Sequence, residues 1–389
     1  MLHVIPSLSP SSGGPSVALP AMARALAARG VHVSVVTTDD DGPGRRLSGI
    51  PLVEEVTQEG GWSVRYFPKQ TEFYKVSLPL RRWLRKHVHE YDVVHVHAVF
   101  SFASLAAGRA AAARGVPFIV RPLGVLNRWG MANRRRLVKS MSFGLLELPM
   151  LRRAAAMHYT SQMELQEAAR FHLRNRQVIL PIGIDLAPFA SLPPATIFTD
   201  QFPASAGRRN VLFLSRIDVK KGVDLLLPAF ARVHPAHPET HLIVCGGGAP
   251  DLVTKLQAQA QSLGLAGHIT WAGEVTGQTR LAAFAAAELF VLPSHSENFG
   301  IALLEAMAAG LACVSSDQVA LAVDAAPAVR VVPLDVEVIA KAMDSLLSGT
   351  AERQALAASG RELAFKHYSL EAMGAGLNQL YQEVAVRAA

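Results

Sequence analysis

A chain of 389 residues, half of them hydrophobic and 18% charged, is long enough for two domains with full cores and too apolar to be disordered. No apolar run reaches the roughly 18 residues that a membrane-spanning helix requires. The net charge of +7 is uneven, residues 1–185 holding 24 Lys and Arg against 13 Asp and Glu while residues 186–389 hold 14 against 18. The basic first half calls for an anionic partner, and no zinc-finger spacing or aromatic RNP pattern makes that partner a nucleic acid.

The opening Leu2-His3-Val4-Ile5-Pro6 has neither the basic region nor the long apolar region of a secretory leader, so a cytoplasmic protein is expected. Residues 2–8 read as a strand that runs into the loop Ser9-Pro10-Ser11-Ser12-Gly13-Gly14. A helix follows over about 15–29, with Pro15 in its first turn and Gly30 as its stop, and then a strand over 31–37. Asp39-Asp40-Asp41 reads as a solvated acidic loop, although Asp-x-Asp also occurs in metal sites.

Leu80, Trp83, Leu84 and Val88 fall at helical spacing with Arg81, Arg82, Arg85 and Lys86 on the other side. That pattern fits a helix packed on a sheet or a basic helix lying on a membrane. A second basic cluster, Arg134-Arg135-Arg136 with Lys139, stands beside Trp129 and Met131. Further strands fit 92–96, 117–120, 155–160 and 178–180. His95 and His97 share a strand face, a spacing open to zinc but without an evident third ligand. Ser161 followed by Glu164 is a capping box. The Pro-rich stretch 186–204 reads as an interdomain linker.

The strand–loop–helix–strand unit then recurs: a strand over 210–215, a loop over 216–222, a helix over 223–233, and a strand over 241–245 ending in Gly246-Gly247-Gly248. Later strands fit 269–271, 289–292 and 312–315, and the last helix spans 370–386. Near-continuous apolar strands indicate buried parallel sheets, hence an α/β chain of two Rossmann-like domains facing across a cleft. Cys245 and Cys313 lie in apolar runs and read as buried thiols.

Ligands of open α/β sheets sit at the carboxyl ends of the strands. Arg216 follows such a strand and Lys221-Gly222 opens the next helix, so the pair is either a diphosphate site or a solvated basic turn. Gly246 ends the neighbouring strand. Glu297 lies in the loop after 289–292, while Glu305 lies inside the otherwise apolar helix 301–309. A carboxylate buried there needs a partner, for which ligand hydroxyls are suitable, unless it faces solvent at the mouth of the cleft.

Glu297-Asn298-Phe299-Gly300 running to Glu305-Ala306-Met307-Ala308 resembles the signature of retaining GT-B glycosyltransferases of family four. Ser215-Arg216-Ile217-Asp218 to Lys220-Lys221-Gly222 resembles the diphosphate stretch of that family, and Pro181-Ile182-Gly183-Ile184-Asp185 its entry to the linker. The resemblance covers nearly the whole chain. It implies a GT-B architecture with residues 1–185 and a returning helix 370–389 as the acceptor-side domain, and residues 186–369 as the donor domain.

It further implies that Arg216 and Lys221 bind the donor's β-phosphate and that Glu297 contacts the donor sugar. Asn298, Phe299 and Gly300 would approach sugar and phosphate by backbone, Glu305 would bind the ribose, and Gly13 and Gly14 would let first-domain backbone near the diphosphate. The expected activity is retaining, metal-independent transfer from a UDP- or GDP-sugar to a glycan, lipid-linked or small-molecule acceptor, with no cofactor. A non-catalytic sugar-nucleotide-binding subunit and a sugar-nucleotide epimerase are the alternatives. One departure stands out: Leu123 occupies the place of a first-domain histidine found in many relatives, leaving His97, Arg121 or Asn127 as acceptor-side candidates.

Overall fold

A computed structural model describes residues 1–126 and 142–386. The chain divides into two compact units, Met1–Ile184 with Leu370–Ala389, and Asp185–Ser369. Among the described residues, no helix is long and apolar enough to cross a membrane.

The first unit is built on β1 (Leu2–Ser7), β2 (Ser34–Thr38), β3 (Glu55–Gln58), β4 (Trp62–Phe67), β5 (Val94–His97), β6 (Phe118–Arg121), β7 (Ala156–Tyr159) and β8 (Arg176–Ile179). These eight form one sheet in the order β3-β4-β2-β1-β5-β6-β7-β8, parallel except for the antiparallel pair β3–β4. Every residue of β2, β5, β6 and β7 is buried, which requires helices on both faces. Helices Leu78–His87 and Phe102–Ala113 cover one face, where Leu80, Leu84, Ala107 and Ala111 meet Val4, Val94, Val96 and Val120. Helices Gly14–Ala27 and Leu370–Val386 cover the other, where Leu19, Met22, Leu377 and Tyr381 meet Ile5, Val35 and Ile119. The two helices on this face approach so closely that a Cβ at Gly374 would lie 2.9 Å from the Ala25 carbonyl oxygen.

The second unit carries β9 (Arg209–Leu214), β10 (Thr240–Cys245), β11 (Ile269–Gly273), β12 (Ala287–Leu292), β13 (Ala312–Ser316) and β14 (Arg330–Val332). Their order, β11-β10-β9-β12-β13-β14, is parallel throughout, and it reverses direction between β9 and β12. The carboxyl ends at such a reversal diverge and open a crevice for ligands.

Two sequence expectations fail here, and three strands went unread. β3, β4 and β14 carry no strong apolar run, and alternating exposure on β3 shows why it was silent. Residues 186–204 are no free linker: helices Ala187–Ala190 and Thr196–Thr199 bury Phe189 and Phe198 in the second unit. The acidic triplet is not solvated either, since Asp39 and Asp40 are buried. The Lys69 ammonium lies 2.9 Å from Asp40 and pairs its buried charge, Lys75 adds a second cation, and the Lys69 amide donates to Asp39 at 2.6 Å. Those partners come from thirty residues away and left no mark in the local sequence.

Candidate functional site

The second unit gathers the candidate side chains named from the sequence around the carboxyl ends of β9, β10 and β12. Beyond β9 the backbone stays extended, Ser215 donating to Cys245 at 3.0 Å and Ile217 to Gly247 at 2.8 Å. That close pairing explains Gly246. Its φ is 144°, and a Cβ there would lie 1.9 Å from the Ser215 carbonyl oxygen. Arg216, between the two paired residues, points its exposed side chain outward.

After one turn over Val219–Lys221, Gly222 takes φ 74° and opens helix Val223–Val233. A Cβ at Gly222 would meet the Pro293 carbonyl oxygen at 1.9 Å, and the His295 amide donates to Lys220 at 2.7 Å. The turn after β9 is therefore stitched to the loop after β12. Lys221 is mostly buried, and its ammonium pairs with the Glu297 carboxylate. Burial and the neighbouring Arg216 charge pull the Lys221 pKa down to about 8, and the Asp218 carboxylate works the other way.

The loop that carries Glu297 is fixed by a second strand end. The Glu297 amide donates to Gln318 at 3.0 Å, the Ala320 amide to the Glu297 carbonyl at 3.2 Å, and Leu321 to Phe299 at 3.1 Å. Phe299 is buried, with its ring 6.1 Å from that of Tyr368. Gly300, at φ 103°, starts helix Ile301–Ala308, and Asn298 lies half-buried between them. Glu305 sits inside that helix, 8% exposed, and the partner it required is Arg280 of helix Gly277–Ala285. Burial raises the Glu305 carboxyl above its ordinary value, a shift that the Arg280 guanidinium offsets only in part. Sequence reasoning missed Arg280, although it is the only charged residue on its helix and so the natural complement to a lone buried carboxylate.

In the first unit Gly13 (φ 75°) closes the turn Pro10–Ser12 and Gly14 starts helix Gly14–Ala27. A Cβ at either would meet nothing within 4 Å, so the helix start is open. His97 and Arg121 are register partners at the ends of β5 and β6, but they are 0% and 1% exposed and offer no surface to a ligand in this structure. Asn127 and the cluster 134–139 lie outside the described residues. Leu123 has φ 60°, followed by Gly124, whose amide donates to Glu164 at 2.6 Å. The Ser161 hydroxyl accepts from Glu164 as a cap should, yet the Glu164 carboxylate serves Thr160 and Gly124 instead of returning to Ser161.

His97 belongs to a buried polar layer that the sequence showed only in part. His3, His95 and His97 place one nitrogen each within 4.8 Å of one another. His3 Nδ1 lies 2.9 Å from His97 Nε2, His95 lies 2.8 Å from the Tyr381 hydroxyl and 3.2 Å from His158, and His158 lies 2.9 Å from the Leu180 carbonyl oxygen. Burial holds these imidazoles neutral, taking His3 and His158 down to about 3. The Arg121 charge acts on all four rings and adds to the lowering by burial. Hydrogen bonds join the layer, while His3 Nε2, His97 Nδ1 and Arg121 Nε have no partner among the described residues.

Comparison with known proteins follows this division. Residues 13–183 match a glycosyl transferase 4-like domain, and residues 196–363 match glycosyl transferases group 1. The chain is 33% identical over 213 residues to a phosphatidyl-myo-inositol mannosyltransferase of Mycolicibacterium smegmatis, covering 54% of this chain and 52% of that protein. It is 31% identical over 161 residues to a D-inositol 3-phosphate glycosyltransferase of Segniliparus rotundus, covering 40% and 35%. The chain thus spans about half, or less, of the length of the curated relatives it matches. Among solved structures, a sucrose-phosphate synthase from Thermosynechococcus elongatus superposes with a TM-score of 0.78 at 21% identity, over 99% of both chains. The Anabaena protein HepE, in complex with UDP and glucose, superposes with a TM-score of 0.75 at 18% identity, over 98% of this chain and 99% of that one. The chain has the GT-B fold and belongs to the group 1 glycosyltransferases.

Proposed function

We propose that the protein transfers a hexose from a nucleoside-diphosphate sugar, with retention at the anomeric carbon, to a lipid-linked or phosphorylated acceptor. The observation that carries this reading is the Lys221–Glu297 ion pair with Arg216 beside it, at the point where the second sheet reverses. Two cations there suit a diphosphate, and hydrogen bonds to charged groups contribute about 1.5–3 kcal/mol each. As the diphosphate takes Lys221, the Glu297 carboxylate is released to accept hydroxyls of the donor sugar. Arg216 and Lys221 then stabilise the negative charge that builds on the departing diphosphate, the charge a divalent metal would otherwise offset, so transfer proceeds without metal or cofactor. The protein supplies positioning and electrostatics and no nucleophile, which leaves the acceptor to attack from the face the leaving group vacates.

The solved HepE complexes contain UDP and UDP-glucose, which supports a nucleotide sugar as a ligand of this fold. Several relatives are named for transfer to phosphatidylinositol or inositol phosphate, which supports an anionic acceptor at the basic first unit. Helix Leu78–His87 buries Leu80 and Leu84 and leaves Arg81, Arg82, Arg85 and Lys86 toward solvent, so its basic face is free for an anionic surface. In this reading the first unit serves the acceptor on the cytoplasmic side of a membrane and the second serves the donor. Calorimetry with UDP, GDP, ADP and their sugars, first without metal and then with Mg²⁺, tests the donor site. Lack of heat with all of them, in both conditions, would overturn it. Flotation with anionic vesicles at low salt tests the membrane contact.

A further inference from the structure

The Arg280–Glu305 pair deepens the donor-site reading, and the role given to it rests on that reading. Glu305 is nine-tenths buried in a helix whose other residues from Leu303 to Ala308 are apolar and buried. Arg280 donates to its Oε2 atom. The pair lies near the end of β10, since the Arg280 charge also acts on Cys245, which directly precedes Gly246. The Arg280 guanidinium stands 5.9 Å from the Phe284 ring on its own helix, so packing limits its swing.

The other ionisable groups around helix Ile301–Ala308 are occupied elsewhere. From helix Thr350–His367, Arg361 donates to the Ala308 and Ala190 carbonyls at the far end of the helix. Cys245 on β10 and Cys313 on β13 are buried thiols held in the protonated form. Tyr368 packs by Phe299, its hydroxyl likewise protonated. Arg280 is the one charge that acts on the Glu305 carboxyl among the described residues.

We infer that Arg280 is a positioning residue for the nucleotide: by holding Oε2 it turns the Glu305 carboxylate so that Oε1 can accept the ribose hydroxyls of a nucleoside diphosphate. Without the guanidinium, burial alone governs the carboxyl, which then takes up a proton at higher pH. A protonated carboxyl is a weaker acceptor for two hydroxyls, so ribose recognition fades on the acid side.

The test is calorimetry on the full chain with UDP and GDP and with their 2′,3′-dideoxy analogues, between about pH 6 and about pH 8.5. The wild type should prefer the ribonucleotide about tenfold across the range. Arg280→Met should lose that preference at the acid end and regain much of it at the alkaline end. Arg280→Lys should restore it throughout, and Arg280→Met should change nothing further in a Glu305→Gln background. A loss in Arg280→Met that is the same at every pH, no loss at all, or failure of the lysine to rescue would overturn the inference while leaving the donor site standing. A wild type that binds neither nucleotide overturns both.

Discussion

The Lys221 ammonium and the Glu297 carboxylate form an ion pair that bridges the turn after β9 and the loop after β12. Both partners are mostly buried, so each neutralises a charge that would otherwise be costly, and a diphosphate must compete for the same ammonium. Lys221→Met and Arg216→Met should each weaken UDP or GDP binding by about 1.5–3 kcal/mol, roughly ten- to a hundredfold, and leave the bare nucleoside unaffected. Glu297→Gln, which removes the competing carboxylate, should keep or strengthen nucleotide affinity and lose transfer. Equal losses for nucleotide and nucleoside would mean that the variants disturb the pocket and not a phosphate contact.

Glycines at the two strand ends face different demands. At Gly246 an added Cβ would lie 1.9 Å from the Ser215 carbonyl, with φ at 144°. Gly246→Ala should therefore destabilise the second unit by about 3 kcal/mol or more, read as a lowered denaturant midpoint. Gly13 has φ 75° but open space around it, so Gly13→Ala should cost only about 1–2 kcal/mol in the first unit. Similar midpoints for the two variants would contradict this account.

The second half of the chain was more legible than the first. Arg216, Lys221, Glu297 and Glu305 announced themselves because charges stand out in apolar strand ends and helices. Their partners did not: Arg280 lies 25 residues before Glu305, and nothing local says which carboxylate a lone arginine will meet. In the first unit the register of β1, β5, β6 and β7 brings His3, His95, Arg121 and His158 into one layer, a relationship of four distant strands. His95 and His97 showed their spacing and hid their partners. The buried Asp40 was misread for the same reason, Lys69 being the residue that makes its burial tolerable.

Glu147 offers a test of burial alone. Its carboxyl is wholly buried, bonded by the Tyr74 hydroxyl on one oxygen and unpartnered on the other, and burial raises its pKa to about 7. The folded state thus holds a proton that the unfolded state gives up above about 4.5, and stability falls as pH rises from there to about 7. Glu147→Gln keeps the acceptor for Tyr74 and removes the ionisation. It should stabilise the first unit by about 2–3 kcal/mol at pH 8 and by little at pH 5. Equal effects at both pH values would point to packing.

The histidine layer sets the acid limit of the first unit. His3 and His158 titrate near 3 in the fold against 6.5 when exposed, and His95 and His97 also lie well below that value. Below about 6.5 the unfolded chain binds protons that the folded one refuses. The stability is therefore complete above that pH and is lost as pH falls toward 3. Each imidazole contributes up to about 1.4 kcal/mol per pH unit, so four remove about 5 kcal/mol per unit against a total of about 5–15 kcal/mol for a domain. Unfolding of the first unit should then centre between about pH 4 and about pH 5, followed by circular dichroism. His158→Gln can still donate to the Leu180 carbonyl but cannot titrate, and it should flatten the profile by about a quarter. Tyr381→Phe strips the hydroxyl from His95 and should cost about 1–3 kcal/mol at pH 7, loosening helix Leu370–Val386 from the sheet. An acid profile that His158→Gln leaves unchanged would assign the acid limit to other groups.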